Sequence, residues 1–377
     1  MIEDDQTLSV GSIVSEKVSE WMEPINKTGY QETMVEFKHA IVMKYVFIIG
    51  CLLACIIVAG VSLGFGTYPI SFFEAYETIW NHLTGNIVDD VADIVVVRDR
   101  LPRICVGILA GSGLAVAGAA MQSILKNPLA EPYTTGVSSG AIFGASLSIV
   151  FGFNLFSGDF ALVGNAFIFS LIPVAFILFI SKLKNASPTT MIMAGIAVMY
   201  IFNAMTTVMR LWSDPDSLSA LYNWEVGTLI YSAWDNLYIM LPATVIGIII
   251  IWLLSKQLNV LATGDENART LGVDADRLRI ICLVVIAFMT AAIVSYVGLI
   301  GFVGLVAPHV VRMIIGADNR FLIPASISFG AALLLLADLV GKVIIAPATI
   351  QVGVIMAFLG GPMFIWLIVR KNTKVWG

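Results

Sequence analysis

The sequence predicts an all-α polytopic membrane protein with ten transmembrane helices and both termini in the cytosol. Three observations lead there. Of the 377 residues, 58% are hydrophobic and only 12% are charged, about half the roughly 25% charged share of a soluble domain. The apolar residues gather into ten runs, each near the ~20 residues that cross a bilayer as a helix. With the N-terminus inside, sixteen of the 21 Lys and Arg residues fall on cytosolic segments, and only Arg98, Arg100, Arg103, Arg210 and Lys342 fall outside. That is the inside-positive bias of membrane proteins.

The elements follow in order. Residues 1–40 are polar and acid-rich. They lack the basic start, short apolar core and small-residue cleavage site of a secretory signal, so the first apolar run is expected to be retained. Within them Val14, Val18, Trp21 and Ile25 form one helical stripe. The spans are expected at 41–65, 101–124, 136–153, 160–182, 190–211, 236–255, 280–297, 302–316, 321–345 and 350–369, with a long outer loop over 66–99. Residues 41–377 thus form the membrane domain. Gly107 and Gly111, and Gly136, Gly140 and Gly144, recur at fourfold spacing, which suits close helix packing. Cys51, Cys55, Cys105 and Cys282 lie inside apolar runs without a metal-type CxxC. They read as small buried residues rather than a disulfide framework.

The chemistry is marked as much by what is missing. There is no GxxxxGK[ST] phosphate loop, no HExxH and no GxSxG. ATP binding by that loop, membrane proteolysis and serine hydrolysis are therefore not expected. No basic stripe suggests nucleic acid, and neither a metal nor a cofactor is expected. Asp338 and Lys342 lie four residues apart within one span, as an internal ion pair or as a coupling pair. In "RLPR", Pro102 suits a first helical turn, while Arg100 and Arg103 oppose both the helix dipole and the inside-positive bias. Headgroup contact explains them, and so does an outer basic patch for an acidic partner. The charged island Leu258–Arg279 is expected to hold two capped helices. The first, 264–271, has a Thr263–Glu266 capping box and stops at Gly272; the second is capped by Asp274 and runs through Arg279. A rigid cytosolic element of this kind suits mechanical coupling.

Four segments, "RLPRICVGILAGSGLAVAGAAMQSILKNPLAEPYTTGVSSGA", "NVLATGDENARTLGV", "GLIGFVGLVAPHVVRMIIG" and "LGGPMFIWLIV", closely resemble the FecCD-type permeases. These are the membrane subunits of type II ABC importers for iron–siderophores, haem and cobalamin. The likeness runs from about residue 41 to the end, and the acidic extension before it departs from the pattern. It implies a permease dimer in the cell membrane, driven by a pair of separate ABC ATPases and served by an external substrate-binding protein. Such a subunit is not itself an enzyme. By position it implies ATPase coupling through Gly264, Glu266, Ala268, Arg269 and Gly272. It implies binding-protein docking through Arg100, Arg103 and Lys342, where lysine replaces the arginine of some relatives. It implies a cytosolic gate at Asn127, Leu129, Thr189 and Thr190. Asn203, Thr206 and Thr207 would line the path or bond between helices. The cargo implied is a metal chelate, an iron–siderophore before haem or cobalamin. The alternative is an ion-coupled secondary transporter using Asp338 and Lys342.

Overall fold

The structure is a computed structural model that describes residues 27–184 and 187–369. The stripe expected over 12–25 lies outside the described residues. The chain divides into two units, residues 1–46 and residues 47–377. The helices are α1 (Lys27–Gly64), α2 (Phe72–Thr84), α3 (Asp90–Asp93), α4 (Leu101–Leu125), α5 (Val137–Phe151), α6 (Phe160–Lys184), α7 (Pro188–Leu211) and α8 (Pro215–Glu225). They continue as α9 (Trp234–Leu253), α10 (Ser255–Ala262), α11 (Asp265–Thr270), α12 (Ala275–Val297), α13 (Val303–Ile315), α14 (Asn319–Val343) and α15 (Val352–Val369). No strand occurs among the described residues.

Seven of these stretches are long and apolar enough to cross a membrane: Lys38–Gly64, Asp90–Leu125, Phe160–Lys184, Pro188–Leu211, Trp234–Leu253, Ala275–Val297 and Asn319–Val343. Val137–Phe151, Val303–Ile315 and Val352–Ile365 are shorter apolar helices. Together they fall on the ten expected spans. The outer loop expected over 66–99 is instead largely helical: it holds α2, α3 and a π-helical turn, Ile94–Arg100, that runs into α4.

Alanine and glycine make α4 the hub of the bundle. Its apolar side chains from Ala110 to Ile124 are almost wholly buried. A methyl group at Gly111 would collide with the Gly330 carbonyl of α14, and one at Gly118 with the Gly304 carbonyl of α13. Backbone cannot move aside as a flexible side chain can, so these glycines set how closely the helices approach. Gly140 and Gly144 play the same part in α5, against the carbonyls of Phe169 and Asn165 in α6.

α5 and α13 have 15 and 13 residues. At 1.5 Å per residue they span only about 20 Å of a ~30 Å hydrocarbon core. Irregular backbone completes each crossing: the 3-10 turn Pro132–Thr135 before α5, and residues 298–302 before α13. The two irregular segments meet on α4. The Tyr133 hydroxyl donates to the Ile300 carbonyl at 3.2 Å, and Gln122 Nε2 of α4 donates to the Leu305 carbonyl at 3.3 Å. Irregular backbone persists at membrane depth only where protein or a wet cavity satisfies it.

Candidate functional site

Two charged clusters stand out, one at each end of the bundle. The cytosolic one is built around α11. Gly264 precedes that helix at φ 119, a conformation closed to residues with a Cβ. The expected capping box does not form. The N-cap position is taken by Gly264, which has no side chain to accept from the helix N–H groups, while the Thr263 hydroxyl donates to the Val260 carbonyl at 2.8 Å, inside the preceding turn. The expected stop at Gly272 is present: at φ 81 its N–H meets the Arg269 carbonyl at 3.0 Å, and the Val273 N–H meets Ala268 at 2.8 Å. Ala268 is fully buried and pins the inner face of α11, whereas Glu266, Arg269 and Leu271 are exposed. Asp274 caps as expected, accepting from the Asp276 and Arg277 N–H groups. The helix it starts is no short island helix, since it continues through the membrane as α12.

Asp265, the first residue of α11, is the centre of this cluster. It pairs with Lys126 Nζ and with Arg279 Nη2, each at 2.7 Å. Arg279 is fully buried and also donates Nε to the Ile124 carbonyl at 3.0 Å, closing the C-terminus of α4. The Arg279 hydrogen bond, followed by that of Lys126, holds the Asp265 carboxyl at about 2. One charged cluster thus ties α11 to the end of α4 and the start of α12. Asn259 of α10 adds a second tie, donating to Asp318 at 2.7 Å and accepting from the Asn319 N–H at 2.8 Å.

Of the expected gate residues, Asn127 and Leu129 follow this cluster directly in the chain, and Thr189 and Thr190 lie at the start of α7. Lys126 ends α4 in the left-handed conformation at φ 50, and Asn127 follows directly, its Oδ1 accepting from the Leu129 N–H at 3.0 Å. Leu129 and Thr189 are exposed. Thr190 belongs to the cap of α7, bonded to Ser187 through its N–H at 3.2 Å and its hydroxyl at 2.8 Å. The turn and α7 converge at Gly195, whose absent Cβ leaves room for the Thr134 carbonyl. Within the same turn, burial lifts the Glu131 carboxyl to about 7. On α7, Asn203 and Thr207 are exposed and Thr206 is buried.

At the outer end, the expected free basic face is not formed. Arg100 is 3% exposed, Arg103 8% and Lys342 7%. Arg100 donates to the Leu63 carbonyl at 2.5 Å and the Tyr68 carbonyl at 2.6 Å, capping the C-terminus of α1. Arg103 reaches Asp338 at 2.7 Å, and Lys342 reaches Asp338 at 3.0 Å and Ser62 at 2.9 Å. A charge inside a bundle is costly unless paired. That cost draws these cations inward onto Asp338 and the C-terminal end of α1. Asp338 and Lys342 do pair along α14, as an internal ion pair.

The structure is thus a bundle of several membrane-crossing helices with a charged helix at its cytosolic end. The chain belongs to the FecCD transport family, whose pattern it matches over residues 51–370, and it is a multi-span permease of an ABC transporter in the cell membrane. It is 36% identical over 329 residues to the hemin transport system permease protein HmuU of Yersinia pestis, covering 86% of this chain and 95% of that one. It is 39% identical over 290 residues to the cobalamin import system permease protein BtuC of Halobacterium salinarum, covering 76% of each. A solved structure described as an inward-facing conformation of a metal-chelate type ABC transporter superposes with a TM-score of 0.76. The two share 30% identity, with 86% of this chain and 98% of that one covered.

Proposed function

We propose that this permease imports a metal chelate by alternating access, driven by a pair of separate ATPases that grip α11. A ferric siderophore is the first candidate cargo, with haem and cobalamin next. The clamp on Asp265 carries the proposal. The exposed face of α11, with Glu266, Arg269 and Leu271, offers a partner a rigid handle. Its inner face is bonded through Asp265 to Lys126, one residue from the Asn127–Leu129 turn. Displacement of α11 is thereby passed to the end of α4 and to the gate at Asn127, Leu129, Thr189 and Thr190. The path runs between two permease copies along the exposed side of α7, past Asn203 and Thr207. An external binding protein delivers the cargo to the outer mouth. There Arg100, Arg103 and Lys342 shape the docking surface from within rather than touching the partner. Residues 41–377 form the permease domain, and residues 1–40 a cytosolic extension.

The test is reconstitution with the candidate ATPase and binding protein, using a labelled ferric siderophore, haem and cobalamin as separate cargoes. Uptake of one of them that requires ATP and both partners is expected. Uptake driven by an ion gradient without ATP would overturn the proposal.

A further inference from the structure

α2 carries an apolar stripe that the rest of residues 47–377 leaves uncovered. Phe73, Tyr76, Trp80 and Leu83 follow one another at spacings of three, four and three, so they share one helix face. Phe73 is 83% exposed, Trp80 67% and Leu83 75%. The polar side of the same helix points elsewhere: Glu74, Glu77, Thr78 and Asn81 line a cavity with Asp89 and Asp93. The helix is well defined at both ends, with a Ser71–Glu74 capping box and a left-handed Gly85 at φ 72.

Its location is set by α1. The Phe72 backbone lies 3.3 Å from where a Gly64 Cβ would stand, and the Tyr76 ring packs on Gly60. α2 therefore starts at the outer end of a membrane span. Lower on α1, Leu53, Ile56 and Ile57 are exposed as lipid-facing side chains are. The α2 stripe continues that surface, whereas Ile87 and Val88 line the cavity on the polar side of the helix.

We propose that α2 lies flat in the outer membrane–water interface, with Phe73, Tyr76, Trp80 and Leu83 seated among the lipids and Glu74 and Glu77 turned to water. Tyrosine and tryptophan favour this level of a bilayer, and an amphipathic helix binds there by its apolar face. No Lys or Arg occurs from residue 65 to residue 97, so the attachment is apolar rather than a response to anionic headgroups. Its consequence reaches the bundle. His82, in the last turn of α2, meets Asp93 at 2.8 Å, and Asp93 ends α3, which continues through the π-helical turn into α4. The lipid surface thereby helps to hold the outer end of the hub helix.

The test is depth-dependent fluorescence quenching of the full chain in nanodiscs, with Trp80→Phe isolating one of the eight tryptophans. Bromine near the glycerol end of the acyl chains should quench the Trp80 contribution at least about twofold more than bromine near the chain ends, with or without anionic lipid. Quenching by aqueous acrylamide alone would place the stripe in water. Protection from both quenchers would place it under protein. Either result overturns the proposal.

Discussion

The Asp265 and Asp338 clusters each centre on a carboxylate held between an arginine and a lysine, in opposite settings, and at the first Asp276 also lies 3.6 Å from Arg279. Asp338, Arg103 and Lys342 are all sealed inside the bundle. Around Asp265 only Arg279 is sealed, while Lys126 and the carboxylate itself are partly open to water. The sealed cluster joins α4, α14 and α1, which have no need to part if the outer framework is rigid. The open one joins α11, α4 and α12 beside a surface that a partner can reach. Accessibility, more than charge count, separates the structural fastening at Asp338 from the transmission joint we propose at Asp265.

The sharpest way to break this contrast is to remove the sealed carboxylate. Asp338→Asn leaves two buried cations without a counter-charge, a loss of about 3–5 kcal/mol. A large drop in melting temperature in detergent is expected, and an unchanged melt would show that Arg103 and Lys342 find water. Gly272→Pro comes next. Proline cannot adopt φ 81 and removes the N–H bonded to Arg269, a local loss of about 3 kcal/mol. ATP hydrolysis in the assembled complex should become independent of cargo, with a fall in the melt smaller than that of Asp338→Asn.

Glu131 gives a pH-dependent contrast between the two ends. Its carboxyl titrates at about 7 when folded, against an ordinary value of 4.5. A raised acid binds more protons folded than unfolded, so its burial destabilises the protein increasingly as pH rises from about 4.5 to about 7. Glu131→Gln should remove that slope, with a stabilising gain approaching roughly 3 kcal/mol above about pH 7, read from melts across pH. The smallest expected effect on stability is that of Lys126→Met. A partly exposed ion pair contributes about 1 kcal/mol or less, so the melt should hardly move. Coupled uptake should nevertheless fall several-fold. Normal uptake per ATP would remove Lys126 from the transmission route.

The spans were legible because composition and the Lys/Arg bias act locally, and each run carries its own signal. The clusters were only half legible. Arg103 and Asp338 are 235 positions apart, and nothing near either announces the other. Arg100 and Arg103 therefore read as surface, whereas Lys342 stands four residues from Asp338 and its pairing is visible in the spacing; the inside-positive exceptions mark all three as unusual. Asp265 sat within the segment singled out for coupling, but its partners Lys126 and Arg279 come from two other helices. α2 was hidden in a supposed loop although Ser71 and Glu74 carry a capping-box spacing before an apolar stripe. The short α5 and α13 looked like full spans because the irregular backbone beside them is also apolar.

The most direct test of α11 as the ATPase handle is site-specific photo-cross-linking in the native membrane. A photoreactive residue is placed at Leu271, which is 65% exposed at the end of α11, and separately at Phe73 on the outer side. A covalent adduct between the permease and an ABC ATPase from Leu271, and none from Phe73, is expected. Undiminished ATP-dependent uptake with no ATPase adduct from Leu271 would contradict the account.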